Sequence, residues 1–193
     1  MQERENMRDK AKIFLIDIDG VACEHAKAIC EWVSDEYGIM SKVEDVTTWD
    51  HDFGQISFCD AVEKLYPNKN FILNMEVTLG FGEFLNHISK MMNVKFASAR
   101  KCSHRATRLW IKKNFGEYET IFVRSKANVE FKYLLEDNLD EAQASADRGK
   151  TCFLIRRPWN DNPFTMKVVR KVRQIYFVES FAEIIDFFND VLK

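Results

Sequence analysis

Short, unbroken apolar runs alternate along this chain with longer stretches in which apolar residues recur every three or four positions. The run at residues 13–16 reads Ile-Phe-Leu-Ile and is followed at once by Asp-Ile-Asp-Gly. Runs of similar length recur further along, at residues 94–97, where Lys95 interrupts the run, and at residues 121–123, 133–135 and 152–155. Apolar runs of this kind are typical of strands that are buried on both faces of a parallel sheet.

The stretches between these runs have the spacing of amphipathic helices. Residues 81–92 place six apolar side chains on one helical face. Residues 103–115 and 140–148 show a similar pattern, and residues 181–192 carry a further apolar stripe. The alternation of buried strands with helices predicts a doubly wound α/β fold, in which helices cover both faces of a parallel sheet.

One region breaks this alternation. Between residues 21 and 79 the sequence contains no convincing buried strand, and helical patterns occur near residues 24–37 and 57–65. We therefore expect a helical insertion directly after the first strand. The predicted division is a core formed by residues 1–20 and 80–193, with a cap formed by residues 21–79.

The overall composition narrows the class of protein. Of the 193 residues, 46% are hydrophobic and 30% are charged, and the formal net charge is −2. This balance is typical of a soluble globular chain and argues against a domain held to nucleic acid by bulk charge, because such domains are usually basic. No apolar run approaches the roughly 20 residues needed to cross a bilayer. Residues 1–12 carry charges of both signs, so we expect no signal peptide there.

The cysteines predict a reducing environment. The five cysteines are Cys23, Cys30, Cys59, Cys102 and Cys152. Their odd number and wide spacing indicate free thiols in the cytoplasm. A zinc site formed by Cys23, His25 and Cys30 is an alternative that we disfavour, because no second ligand pair with suitable spacing follows.

Two acidic residues stand where the first predicted strand ends. Asp17 and Asp19 follow the apolar run, and Gly20 allows the chain to turn sharply away. In open α/β sheets, ligands bind at the carboxyl ends of strands, and carboxylates are ligands that Mg²⁺ prefers. The alternative for these two residues is a solvated turn.

Three later motifs decide between a ligand-binding site and a solvated turn at Asp17 and Asp19. The sequence at residues 13–21 resembles the first motif of the haloacid dehalogenase superfamily. The later motifs of that family match Ser98, Lys126 and the acidic pair Glu136-Asp137, each at the end of a predicted strand. The resemblance implies a Rossmann-like, three-layer α/β/α parallel sheet, and the insertion matches the position of a small helical type-one cap.

The resemblance also assigns chemical roles. Asp17 is expected to attack phosphorus and form an aspartyl-phosphate. Asp19 is expected to protonate the leaving oxygen, to activate water afterwards and to face the metal through its backbone carbonyl. Ser98 is expected to donate a hydrogen bond to the phosphoryl group, and Lys126 to neutralise its charge. Catalysis is thus assigned to Asp17, Asp19, Ser98 and Lys126.

The implied cofactor is Mg²⁺, and the implied ligands are Asp17, Asp19, Glu136 and Asp137. The family commonly has Asp-Asp in the fourth motif, so the longer Glu136 could reach the metal directly or through water. Expected substrate contacts are Ser98, Ala99, Arg100 and Lys126, although Arg100 and Arg156 could equally face phosphate or solvent.

A later segment indicates the branch of the family. The sequence Arg156-Arg-Pro-Trp-Asn after the last predicted core strand resembles the 5'(3')-deoxyribonucleotidase branch. The implied substrate is a nucleoside (deoxy)monophosphate. The cap aromatics Trp32, Trp49 and Phe53 could stack on a base, but the cap core is the alternative that we favour for them.

Two other functions stay open at this point. The first is a phosphatase for another small phosphate ester or for a nucleic-acid 3'-phosphate end. The second is a catalytically silent domain that binds a nucleotide or a protein, which we disfavour because Asp17 and Asp19 are both present. We expect a small phosphorylated substrate as the partner, without a membrane or stable nucleic-acid binding. The sequence leaves the oligomeric state open.

Overall fold

The protein is built on one parallel sheet. The computed structural model describes residues 12–191. Within them, six strands pair in the order β3-β2-β1-β4-β5-β6, and every pairing is parallel. The strands are β1 (Ile13–Asp17), β2 (Asn93–Ser98), β3 (Glu119–Phe122), β4 (Tyr133–Glu136), β5 (Thr151–Ile155) and β6 (Ile175–Val178).

Eight α-helices accompany this sheet in the described part of the chain. They are α1 (His25–Tyr37), α2 (Phe58–Leu65), α3 (Lys69–Asn74), α4 (Phe81–Ile88), α5 (His104–Phe115), α6 (Leu139–Ala146), α7 (Pro163–Lys171) and α8 (Phe181–Val191). Short 3-10 turns form at Val43–Asp45 and Lys126–Asn128.

Side-chain alternation along the strands separates two hydrophobic layers. Phe14 and Ile16 of β1 pack with helices α4, α5 and α8 on one face. Leu15 points to the other face, where α6 and α7 contribute. Because both faces are covered, the central strands are largely apolar, which is why β1, β4 and β5 appear in the sequence as short apolar runs. The predicted three-layer α/β/α parallel sheet is confirmed.

The insertion between β1 and α4 carries α1, α2 and α3. Helices α1 and α2 share a second hydrophobic cluster, which includes Ile29, Phe58 and Leu65. Trp159, in the loop after β5, packs into the same cluster and ties it to the rest of the protein. The division into a core and a cap at residues 20 and 79 stays a prediction.

Three elements were not predicted. Strand β6 lies at the edge of the sheet with only Ile175 and Val178 buried, although its sequence, Ile-Tyr-Phe-Val, does carry a short apolar run. Helix α7 begins at Pro163 with Asn162 as its N-cap, a start signal that the sequence does carry. Helix α3 is a single short helix of six residues, too brief to give a clear period.

Some sequence predictions fall outside the described residues. The N-terminal segment up to residue 11 and the last two residues, including Leu192 of the apolar stripe, are among them. Within residues 12–191, no helix is both long and apolar enough to span a bilayer. All five cysteines are unpaired.

Candidate active site

The site forms where β1 and β4 end side by side. The register pairs Ile16 with Leu135, so Asp17 and Glu136 are adjacent at the carboxyl ends of the two central strands. The chain leaves β1 through Gly20, which has a φ of +75°. A Cβ atom at this position would lie 2.1 Å from Asp137 Oδ2. Glycine is therefore required both for the turn and for the close approach of the β4 loop.

Three carboxylates converge at this point. Ligand atoms of Asp17, Glu136 and Asp137 all lie within 4.8 Å of one another, and all three side chains are buried. Burial, followed by the charge of Glu136, raises the pKa of Asp17 and of Asp137 well above the ordinary value. So many acidic groups repel one another, which a divalent cation would relieve. Among the described residues, this is the group of side chains suited to holding a metal.

Lys126 supplies the positive charge at this site. Its Nζ atom lies 2.7 Å from Asp17 Oδ1 and 2.9 Å from Glu136 Oε2. The second contact is an ion pair without the alignment of a hydrogen bond, since Glu136 Oε2 has no hydrogen-bond partner. Although burial opposes it, the two carboxylates raise the pKa of Lys126, so it stays charged. Glu141 Oε2 accepts a 2.8 Å hydrogen bond from the Lys126 backbone and holds the turn in place.

The remaining carboxylate oxygens are oriented by nearby donors. Glu136 Oε1 accepts hydrogen bonds of 3.1 Å from the backbone N–H groups of Asp137 and Asn138. Trp159 Nε1 donates to Asp137 Oδ2 at 3.0 Å. Asn160 Nδ2 donates to the Asp137 backbone carbonyl at 2.8 Å. The Arg-Pro-Trp-Asn segment therefore orients the acidic pair, a role that its sequence did not reveal.

Asp19 is held by an arginine rather than by the acidic cluster. Arg100 donates from Nε to Asp19 Oδ2 at 2.9 Å and from Nη2 to Oδ1 at 2.5 Å. Burial raises the pKa of Asp19, but the charge and hydrogen bonds of Arg100 outweigh it and lower the pKa to about 2. The structure thus keeps Asp19 ionised beside a fixed cation.

The second motif contributes residues around the end of β2. Ser98 is fully buried, and its Oγ accepts a 3.1 Å hydrogen bond from the backbone N–H of Arg100. This contact leaves the Ser98 hydroxyl hydrogen free to donate. Ala99 borders the cavity beside it. The predicted substrate contacts of Ser98, Ala99, Arg100 and Lys126 stay predictions.

A cavity of about 530 Å³ opens above these groups. Its wall includes the charged side chains of Asp17, Asp19, Lys126 and the acidic pair of β4. It also includes side chains of the insertion, among them His25, Trp49, Phe58, Val62 and Tyr66. A single cavity is therefore bordered by both the acidic cluster and a group of aromatic side chains.

The three candidate base-stacking aromatics have different positions. Trp49 borders the cavity. Phe53 is buried in the hydrophobic cluster of α1 and α2. Trp32 packs edge-on against Tyr37 and under Lys64, away from the cavity wall.

His25 is a polar residue of the cavity wall that the sequence suggested only as a disfavoured zinc ligand. His25 is 1% exposed and stacks on Trp49, with ring centroids 5.8 Å apart. Phe58 and Trp159 contact it edge-on. Neither ring nitrogen has a hydrogen-bond partner. No sequence signal separated this histidine from an ordinary residue at a helix start.

One protein-family model matches most of this chain. The model described as "5' nucleotidase, deoxy (Pyrimidine), cytosolic type C protein" matches residues 11–187. A comparison with curated protein sequences finds no significant match.

Several solved structures share the fold. A haloacid dehalogenase-like family hydrolase from Streptococcus pneumoniae is 12% identical, with a TM-score of 0.65, over 93% of this chain and 99% of that one. A HAD family hydrolase from Deinococcus radiodurans R1, solved with bound phosphate and sodium, is 16% identical over 91% and 94%, with a TM-score of 0.57. A predicted phosphoglycolate phosphatase from Haemophilus somnus is 13% identical over 93% and 98%, with a TM-score of 0.55.

Proposed function

Because this chain belongs to the family of 5' nucleotidase, deoxy (Pyrimidine), cytosolic type C proteins, we propose that it hydrolyses nucleoside (deoxy)monophosphates with Mg²⁺ and a phosphoryl intermediate on Asp17. Family membership confirms the predicted haloacid dehalogenase-like superfamily, its nucleotidase-like branch and the phosphatase class of hydrolase. The metal, the intermediate and the nucleotide substrate are what the proposal adds.

One observation carries the proposal. The acidic cluster with its single ammonium group and the aromatic side chains of His25, Trp49 and Phe58 line the same cavity. A nucleoside monophosphate combines the matching chemistry, a phosphate dianion and a flat, largely apolar base. A cavity of about 530 Å³ falls within the usual range of ~300–1,000 Å³ for small-molecule sites.

Asp17 is the nucleophile in this proposal. Its carboxylate forms a bond to phosphorus as the bond between phosphorus and the leaving oxygen breaks. Lys126, 2.7 Å away, offsets charge on the carboxylate and on the transferred phosphoryl group. The Ser98 hydroxyl donates to a phosphoryl oxygen. Water then attacks phosphorus, releases phosphate and restores Asp17.

Asp19 moves the protons in both halves of the reaction. It passes a proton to the leaving oxygen in the first half and takes one from the attacking water in the second. Its pairing with Arg100 favours the ionised form, which is the form that the second half requires. The first half requires the protonated form, so the proton that Asp19 takes from water in one turnover is the one that it gives to the leaving oxygen in the next.

The donor set suits Mg²⁺. Carboxylates of Asp17, Asp137 and Glu136, together with the backbone carbonyl of Asp19, are the ligands that we propose. Glu136 Oε2 pairs with Lys126 but accepts no aligned hydrogen bond, so it is the oxygen that we propose for a direct contact or for a bridging water. When bound, the ion would keep the carboxylates ionised and neutralise phosphoryl oxygens.

The unpaired cysteines accord with a cytoplasmic location, which we propose as well.

The test is phosphate release from a substrate panel. The panel holds deoxy- and ribonucleoside 5'- and 3'-monophosphates, sugar phosphates and an oligonucleotide with a 3'-phosphate. We expect nucleoside monophosphates to rank first with Mg²⁺ and the Asp17→Asn variant to release no phosphate. If sugar phosphates or the oligonucleotide ranked equally or higher, the nucleotide assignment would be wrong. Activity of Asp17→Asn close to that of the unaltered protein would refute the nucleophile.

A further inference from the structure

Arg100 makes most of its contacts with partners within the protein. Besides the two hydrogen bonds from Nε and Nη2 to Asp19, its Nη1 donates to Thr107 Oγ1 at 2.8 Å. Its Nη2 also lies 3.4 Å from Met75 Sδ. The guanidinium plane stacks on the ring of Tyr66, 4.7 Å from its centroid. Each of its three side-chain nitrogens therefore has a partner in the protein, and the oxygens of Asp19 accept from two of them.

These contacts come from separate parts of the fold. Thr107 lies on α5, whereas Tyr66 and Met75 lie in the insertion, and Thr107 is itself held by a 3.1 Å hydrogen bond to the Ser103 carbonyl. Only 2% of the Arg100 side chain is exposed, against 17% for Asp19. Arg100 is therefore buried and held in place by its neighbours. The carboxylate of Asp19, to which it donates two hydrogen bonds, borders the cavity.

Two parallel hydrogen bonds from a guanidinium fix the orientation of the carboxylate that accepts them. A carboxylate offers about four lone pairs, and a bidentate arginine occupies two of them. The plane of the carboxylate is fixed by this contact. Cys23 Sγ also donates to Oδ1 at 3.7 Å, which leaves Oδ2 as the oxygen for proton transfer. Lysine cannot replace this arrangement, because an ammonium group is a single point charge without a planar fork.

We propose that Arg100 is a positioning residue, which aims the Asp19 carboxylate at the leaving oxygen and does not bind the substrate phosphate. This inference rests on the proposed role of Asp19 as the proton donor. Arg100 acts on the rate through that donor alone. Its loss therefore matters most where the leaving oxygen needs a proton.

The dependence on the leaving group is the test. A nucleoside 5'-monophosphate leaves as an alcohol, whose oxygen must be protonated as its bond to phosphorus breaks. The p-nitrophenyl ester leaves as a stable anion and needs no proton. General-acid catalysis contributes about 10²–10⁴-fold to a rate. We expect Arg100→Lys to lower kcat/KM for the nucleotide by about 10–100-fold, and that for p-nitrophenyl phosphate by less than about 3-fold.

A double variant and a matched control sharpen the result. Adding Arg100→Lys to Asp19→Asn should change nucleotide hydrolysis no further, because both substitutions remove the same function. Arg156→Lys is the matched control, since Arg156 lies at the surface in ion pairs with Asp161 and Glu179. It should leave both esters unaffected.

A second pair of variants covers the case in which Arg100→Lys does not fold. Thr107→Ala removes the acceptor of Arg100 Nη1, whereas Thr107→Ser keeps it, and both lose the methyl group. We expect Thr107→Ala alone to show the selective loss on the nucleotide. Equal losses on both esters would overturn the proposal and indicate direct phosphate binding or a purely structural role. Unaltered protein that hydrolyses neither ester would instead refute the proposed function.

Discussion

His25 is expected to weaken the fold in acid, and replacing it with phenylalanine should remove that effect. The imidazole is 1% exposed, its two nitrogens have no partners, and three aromatic rings surround it. Burial, partly opposed by the charge of Asp19, lowers its pKa from 6.5 to about 4. Phenylalanine would place a flat ring among the same three aromatic rings but carries no polar atom.

The direction of the effect follows from proton binding. Between pH 6.5 and about pH 4, the unfolded chain binds a proton at His25 that the folded protein does not bind. Stability is therefore complete above the unfolded pKa and declines as the pH falls through this window. At about 1.4 kcal/mol for each pKa unit, His25 alone should reduce the free energy of unfolding by roughly 2 kcal/mol between pH 8 and pH 5.

Urea unfolding of the two proteins at pH 8 and pH 5 measures this effect. The unaltered protein should lose about 2 kcal/mol more than His25→Phe over that interval, because the other titrating groups are common to both proteins. At pH 8 the variant should be at least as stable, since an unsatisfied buried polar group costs about 1–3 kcal/mol. His51→Phe, at a partly exposed ring, should behave like the unaltered protein. Equal losses in the unaltered protein and His25→Phe would refute the reasoning.

Three further predictions concern the acidic site. Gly20→Ala should lower kcat by about 100-fold or more, because its Cβ would displace Asp137; a rate within a few-fold of the unaltered protein would contradict the close approach. Trp159→Phe removes the donor to Asp137 Oδ2 and should raise the Mg²⁺ concentration for half-maximal activity by about 10-fold, so an unchanged Mg²⁺ titration would contradict that role. Chelation should abolish phosphate release, and added Mg²⁺ should restore it and raise the Tm of the unaltered protein but not of Asp137→Asn. An equal rise in both would place the metal elsewhere.

Much of the fold follows from local patterns. The central strands are buried on both faces, so their apolar runs were visible in the sequence, and the order of the motifs placed Asp17, Lys126 and the acidic pair at strand ends. The register of β1 and β4 then brings Asp17 beside Glu136. The edge strand β6 buries only its first and last residues, Ile175 and Val178, and its apolar run of four residues is too short to separate a strand from part of a helix.

The contacts that orient the site could not be predicted in the same way. Asp19 and Arg100 are 81 positions apart, and Asp137 and Trp159 are 22 apart. Their partnerships depend on how the insertion and the loop after β5 fold back over the sheet. From the sequence, Arg100 could have contacted phosphate or solvent. In the structure it donates two hydrogen bonds to Asp19. The lowered pKa of His25 likewise depends on its burial among three aromatic rings, which come from separate parts of the chain.

The central claim is that the phosphoryl group passes through Asp17. Rapid acid quenching during turnover of a nucleoside monophosphate, followed by peptide mass spectrometry, tests it most directly. The account predicts a phosphoryl group on Asp17 within the first turnover, and none on the Asp17→Asn variant. A phosphoryl group on another residue, or none on the protein while phosphate is being released, would contradict it.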